Sequence, residues 1–158
     1  MRRNSRSFLM PFLHHSCAAL KIDGDSLNPD TISRLLGCRP TVGFVKGQIE
    51  PSRGKPIVRE TGYWHFDAAG QQPGSLDAHV TELFGRVNDA LPVWRRLSRE
   101  YQIELFCVYF TREAHKPVQA SPQTLKALGD RGIKLKLHIY SPAEERRSRV
   151  FGEGARLA

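Results

Sequence analysis

The amino-acid sequence predicts an α+β domain in which a mainly antiparallel sheet of about five strands carries its helices on one face. Apolar and polar side chains alternate strictly over residues 133–140, a pattern typical of a strand with one face in solvent. The predicted elements follow the order β-α-β-β-α-α-β-α-β, with too few crossover helices for a parallel sheet. With 158 residues, 40% hydrophobic and 25% charged, the chain suits one globular domain.

The first strand and the first helix are predicted from local patterns. Residues 17–22 place alternate apolar side chains on one face, as in a half-buried strand. Asn28 is a favourable helix N-cap and Pro29 suits the first helical position, so a helix is predicted to begin here. Gly37 favours the left-handed conformation that ends a helix, which places the end of this helix after Leu36.

Two further strands are predicted over residues 41–46 and 61–67. Residues 47–60 lie between them and are rich in glycine, proline and charge, which predicts a long surface loop. Residues 68–74 form a second predicted loop that ends with Pro73-Gly74. After residue 74, the spacing of the apolar residues changes from that of a strand to that of a helix.

The second half of the chain is predicted to form two helices, a strand, a third helix and a last strand. Ser75 can cap the first of these helices and Pro92 can open the next. The nearly continuous apolar run over residues 103–111 predicts a central strand, and Ser121-Pro122 predicts the start of the last helix. The helical residues predicted to face the sheet are Leu76, Val80, Leu83, Phe84, Val87, Val93, Trp94, Leu97, Tyr101, Leu125 and Leu128.

The ends of the chain differ from its centre in charge and pattern. The formal net charge is +8. Residues 1–15 carry three arginines and no acidic residue, and residues 142–158 carry four arginines and three glutamates. Neither end shows a sustained apolar period. The sequence therefore predicts a flexible basic extension over residues 1–15, one α+β domain over residues 16–141 and a flexible tail over residues 142–158.

The cysteine count and the short apolar runs favour a cytoplasmic location. Cys17, Cys38 and Cys107 are an odd number without Cys-x-x-Cys spacing, which argues against a disulfide framework and a zinc site. The apolar stretch Phe8–Leu13 is short and contains Pro11, so it does not suit an export signal. No run of eighteen apolar residues is long enough for a membrane-spanning helix. We expect a cytoplasmic chain with no membrane contact, metal or cofactor.

Several segments of the chain, in order along residues 17–141, match the pattern of a known family. These segments are Gly24-Asp25-x-Leu27-x-Pro29-Asp30-x-Ile32, Leu36-Gly37-x-x-Pro40, Lys46-Gly47, Gly62-Tyr63-Trp64-His65-Phe66, the helix from Leu76, the strand 103–110 and the closing stretch Leu125–Tyr140. Over residues 17–141 the chain resembles an uncharacterised bacterial family, number 4279 in the domain-of-unknown-function series. The resemblance implies an α+β domain and no established activity, so it supplies no catalytic residues. The long connection over residues 47–60 and the arginine-rich ends depart from the family pattern.

A serine hydrolase is one alternative that the sequence raises. Gly24-Asp25-Ser26-Leu27 spells the nucleophile motif of the GDSL hydrolases and follows a predicted first strand. An esterase also needs a histidine base, a carboxylate that orients it, and oxyanion donors. The Asp-x-x-His string of that family is missing, because Leu135 stands three residues before His138. The alternative to a nucleophile motif is that these residues form a turn with a purely structural role.

Strand residues near position 65 are candidate binding residues. Trp64 beside Tyr63 would line a ligand groove if the pair were exposed, and the alternative is a core position. His65 and Asp67 are two residues apart and therefore share a face of the strand. Two ligands fall short of a metal site, so no metal is predicted.

Basic side chains supply the other candidates. In strand 133–140, Leu135 and Leu137 are predicted to face the helices while the lysines face solvent or a partner. The arginines of one helix face, together with Lys134 and Lys136, would suit contact with RNA or an acidic protein. The alternative is that these side chains form a solvent-exposed surface without a binding role. The full set of candidate binding residues is Trp64, His65, Arg95, Arg96, Arg99, Lys134 and Lys136.

The sequence favours a non-catalytic protein-binding domain with a regulatory or immunity-like role. Its expected partner is a protein with an acidic surface. The first alternative is a GDSL-type hydrolase that uses Ser26, and the second is a nucleic-acid accessory protein. Nucleic acid is the less favoured partner, because half of the positive charge excess lies at the chain ends.

Overall fold

A computed structural model describes residues 16–69, 75–110 and 117–140 of the chain. The predicted flexible segments, residues 1–15 and 142–158, lie outside the described residues. The described elements are β1 (Ser16–Gly24), α1 (Pro29–Leu36), β2 (Val42–Phe44), β3 (Ile49–Glu50), β4 (Ile57–Val58), β5 (Gly62–Asp67), α2 (Leu76–Phe84), α3 (Leu91–Glu100), β6 (Gln102–Phe110), α4 (Pro122–Asp130) and β7 (Lys134–Tyr140).

The main sheet has five described strands in the order β2-β5-β1-β6-β7. Its first three pairings, β2 with β5, β5 with β1 and β1 with β6, are antiparallel. Strand β7 joins β6 in parallel after the connection through α4. The α+β class and the mainly antiparallel sheet predicted from the sequence are therefore confirmed.

The predicted loop over residues 47–60 contains a small hairpin. Strands β3 and β4 pair only with each other, with Ile49 opposite Val58 and Glu50 opposite Ile57. Gly47 lies at the base of this hairpin with a φ of 82°, a conformation that favours glycine. Strands of two residues leave no periodic signal long enough to predict from the sequence.

Side-chain caps start three of the helices, as the sequence predicts. The Asn28 side chain accepts hydrogen bonds from the backbone N–H groups of Asp30 and Thr31 at the start of α1. Ser75 and Ser121 cap α2 and α4 in the same way. Helix α1 ends at Gly37, whose φ of 71° is left-handed.

The core lies between the helices and one face of the sheet. Leu20 at the centre of β1 lies beside Phe66 of β5 and Leu105 of β6. The strand residues of the core cluster all belong to one alternating set, so the described helices cover one sheet face. The members of that set are Ala18, Leu20, Ile22, Trp64, Phe66, Ile103, Leu105 and Cys107.

Two leucines predicted to face inward are exposed instead. On α4 the buried residues are Thr124 and Leu128, and Leu125 is 54% exposed. On β7, Leu135 packs against the core, but Leu137 on the same face is 38% exposed. Alternation assigns Leu137 to the correct face, but the helix layer ends before it reaches that residue.

Candidate functional site

The sheet face opposite the described helices carries polar and aromatic side chains. We call this surface the helix-free face. Alternation along each strand defines its members, because neighbouring side chains across paired strands point to the same face. It consists of Cys17, Ala19, Lys21, Asp23, Val42, Phe44, Tyr63, His65, Asp67, Gln102, Glu104, Phe106, Val108, Phe110, Lys134, Lys136, His138 and Tyr140.

Three residues of β5 form a hydrogen-bonded row on this face. The His65 Nδ1 atom lies 2.9 Å from the Tyr63 hydroxyl, and His65 Nε2 lies 2.6 Å from Asp67 Oδ1. Burial, followed by the nearby carboxylates, raises the pKa of Tyr63 to about 12, so the phenol remains protonated. With the proton of His65 on Nε2, that atom donates to Asp67 Oδ1 and the Tyr63 hydroxyl donates to Nδ1. Both ring nitrogens are occupied, so His65 holds neighbouring side chains in place.

Charges in the middle of the helix-free face are balanced. Lys21 Nζ lies 3.8 Å from the Phe106 ring centroid, and burial lowers the pKa of Lys21. Lys136 Nζ lies 3.8 Å from Glu104 Oε1, and Lys134 is the cross-strand neighbour of the same glutamate. The three lysines of this face are matched by Asp23, Asp67 and Glu104. The face is therefore a weak attractor for an acidic partner.

The structure separates the remaining predicted residues. Trp64 is fully buried on the helix side, where its Nε1 donates to Ser33 Oγ at 3.1 Å, so it cannot line a groove. Arg95, Arg96 and Arg99 are exposed on α3, whose buried residues pack on the helix side of the sheet. They lie on the opposite side of the sheet from Lys134 and Lys136. The predicted set is therefore not one surface.

Ser26 lies in an exposed turn between β1 and α1. Within the described residues it makes no hydrogen bond with a histidine. No described histidine is therefore placed to activate the serine of the Gly24-Asp25-Ser26-Leu27 string.

A buried serine–histidine pair occurs elsewhere and was missed from the sequence. Ser16 Oγ lies 2.9 Å from His79 Nε2, and both residues are buried. His79 also packs edge-on against Tyr109, and burial lowers the pKa of His79. Among the described residues, no carboxylate hydrogen bonds to His79. The only sequence signal is the position of His79 between Leu76 and Leu83 on the apolar helix face.

Five exposed aliphatic side chains lie within residues 42–58, the stretch that contains β2 and the hairpin. We call these five residues the aliphatic segment, and each is between 40% and 66% exposed. Ile49 and Val58 are direct neighbours across the hairpin. The members are Val42, Val45, Ile49, Ile57 and Val58.

Backbone hydrogen bonds close the base of the hairpin, and the Arg59 side chain joins it to the sheet. The Gly47 N–H donates to the Arg59 carbonyl at 2.7 Å, and the Arg59 N–H donates to the Gln48 carbonyl at 2.9 Å. The Arg59 guanidinium lies 4.0 Å from the Phe44 ring centroid and pairs with Glu50. Because Arg59 and Glu50 lie on the hairpin face toward Phe44, alternation turns Ile49 and Val58 away from the sheet.

The turn of the hairpin carries positive charge. Arg53 and Lys55 are exposed, and neither forms an ion pair within the described residues. At the base of the hairpin, Lys46 Nζ pairs with Asp25 Oδ2 at 2.5 Å. The hairpin turn therefore carries two exposed cations that form no ion pair with another described residue.

Comparison with known proteins places the chain in a family without an assigned activity. Neither the curated proteins nor the solved structures gave a match. In the described ranges, no helix has the length and hydropathy to cross a membrane. The same residues contain no group of three or more histidine, cysteine, aspartate or glutamate side chains suited to a metal ion. Residues 14–142 match the family described as "Domain of unknown function (DUF4279)", and the chain belongs to it.

Proposed function

We propose that this chain is a non-catalytic protein-binding domain and that its contact surface is centred on Ile49 and Val58 of the aliphatic segment. The observation that carries the proposal is the exposure of Ile49 and Val58, which are 66% and 57% exposed and lie side by side on the hairpin. Exposed aliphatic clusters are typical of protein–protein contacts, because association removes their surface from water.

Charge around the hairpin suggests the chemistry of the partner. Arg53 and Lys55 would border the contact and would favour a protein with acidic side chains around an apolar groove. This agrees with the acidic partner expected from the sequence, but the proposed cations lie in the hairpin rather than on α3 or β7. A regulatory or immunity-like role would follow if the chain acts by covering a surface of its partner.

Neither serine-containing site assembles a complete catalytic triad within the described residues. Ser26 is exposed without a histidine partner, and the Ser16–His79 pair is buried without an orienting carboxylate among the described residues. A hydrolase would need each of these elements together.

Cross-linking in the host cells tests the proposal. A photoreactive benzoylphenylalanine in place of Ile49 should capture a specific protein, while the same group in place of Gln123, an exposed residue of α4, should not. Equal capture at both positions, or none at position 49, would refute the proposed contact.

Binding measurements with the captured protein then test the side chains. Replacing both Ile49 and Val58 by Asp should weaken binding at least roughly tenfold, because two apolar contacts become charged. The melting temperature should change little, since both residues are exposed. Replacing both Arg95 and Arg99 by Ser is the matched control and should leave binding unchanged. A double Asp variant that binds like the wild type would overturn the assignment.

The association rate tests whether the partner surface that faces the hairpin is acidic. Replacing both Arg53 and Lys55 by Glu should slow association with the captured protein and reduce its dependence on salt, because long-range attraction acts mainly on the association rate. An unchanged association rate would show that the partner surface facing the hairpin is not acidic.

A further inference from the structure

Strand β7 forms one edge of the main sheet. It has seven residues, pairs with β6 on one side and has no partner among the described strands on the other. The opposite edge is formed by β2, which has only three residues. A long edge strand without proline presents a row of backbone donors and acceptors that another strand can pair with.

Exposed apolar side chains accompany this edge. Leu137 and Ile139 lie on the helix side of β7 and are 38% and 52% exposed. The helix layer covers Leu135 but not these two residues. A strand that paired with β7 would therefore satisfy backbone groups and cover apolar surface together.

We propose that β7 pairs with β7 of a second copy of this chain, antiparallel and centred on Leu137. A two-fold axis normal to the sheet then places Leu137 opposite its own copy and Leu135 opposite Ile139. On the other face, Lys136 lies opposite His138, and Lys134 lies opposite Tyr140. The two sheets join into one, with the helices of both copies on the same side.

A second copy of the chain is the favoured partner because, in the register centred on Leu137, the sequence of β7 is complementary to itself. Every apolar residue of the strand meets an apolar residue, and each lysine meets a ring. Moving the centre to Lys136 would place two lysines directly opposite each other, which is destabilising. The lysines therefore act as register selectors as well as edge charges.

This contact is independent of the proposed protein-binding surface. The aliphatic segment adjoins β2, at the other edge of the sheet from β7. Failure of one proposal therefore leaves the other standing.

The mass of the full chain in solution tests the proposal. Light scattering after size exclusion should give twice the monomer mass of 17.9 kDa for the wild type. Leu137→Lys should shift the population to monomer, because it places two cations together at the axis. Leu125→Lys changes a leucine of α4 that is 54% exposed and lies outside the strand, and this variant should remain dimeric. A monomeric wild type, or a dimer that Leu137→Lys leaves intact, would overturn the proposal.

Cysteine cross-linking tests the register without depending on the lysine variant. Leu137→Cys should form a covalent dimer on mild oxidation well above the wild-type background, because only the residue at the axis meets itself. Leu135→Cys should not, since it lies opposite Ile139. Cross-linking at position 135 and not at position 137 would show a different pairing and would overturn the proposed centre.

Discussion

A methyl group added at Gly62 should destabilise the fold through a collision with the backbone. Gly62 begins β5 opposite Gly24, and the turn after β1 folds back over it. A Cβ atom at position 62 would contact the carbonyl oxygen of Leu27 and lie 2.9 Å from that of Gly24. Both obstacles are backbone atoms, so no side-chain rotation can relieve the contact.

Two opposing contributions set the change in the free energy of unfolding that Gly62→Ala causes. Forcing an extra carbon into a packed site costs about 1–3 kcal/mol, and the lower freedom of alanine in the unfolded chain returns about 0.4–1 kcal/mol. Gly62 is not left-handed, so backbone strain adds nothing. Gly62→Ala should therefore lower the free energy of unfolding by about 1–2 kcal/mol, or the melting temperature by about 2–8 °C.

Gly54 in the hairpin turn provides the matched control. A Cβ atom there meets no other atom within 4 Å, and its backbone is not left-handed. Gly54→Ala should be neutral or slightly stabilising by up to about 1 kcal/mol. Thermal and urea unfolding of both variants measure the difference. If Gly62→Ala proves as stable as Gly54→Ala, the close approach of the turn to β5 is wrong.

Three further predictions concern pH, packing and reactivity. Burial lowers the pKa of His79, so the unfolded chain takes up its proton first and stability falls as the pH drops below about 6.5. His79→Gln should flatten this part of the melting-temperature profile, and equal slopes for both proteins would contradict the assignment. Leu128→Ala should cost about 2–5 kcal/mol in urea unfolding while Leu125→Ala on the same helix stays within about 0.5 kcal/mol, and similar costs would disprove the helix orientation. A fluorophosphonate probe should not label Ser26, and labelling that Ser26→Ala abolishes would restore the hydrolase hypothesis.

Local interactions explain why the helix starts could be predicted from the sequence. Asn28, Ser75 and Ser121 bond to backbone groups two or three residues away, so the signal and its effect lie in one short stretch. Strand alternation is equally local, and it correctly placed His65 and Asp67 on one face.

Features that depend on distant elements could not be predicted in the same way. The exposure of Leu137 depends on where the helix layer ends, and the separation of Arg95 from Lys134 depends on which sheet face the helices cover. The aliphatic segment was missed because Ile49 and Val58 lie within a predicted loop, where no period distinguishes a paired hairpin from irregular chain. Only the pairing of two short strands brings them together.

The central position of β1 has a consequence for how the chain acquires its structure. Its two neighbours in the sheet are β5 and β6, and roughly 80 residues separate β1 from β6, which makes this pairing strongly non-local. Pairings of this kind require large loops to close before any contact is gained, so folding is expected to be slow for a domain of this size. During synthesis at about 5–20 residues per second, β6 would be made several seconds after β1. Until then the apolar residues Leu20 and Ile22 of β1 lack half of their sheet neighbours, and a nascent chain is most open to aggregation in that interval.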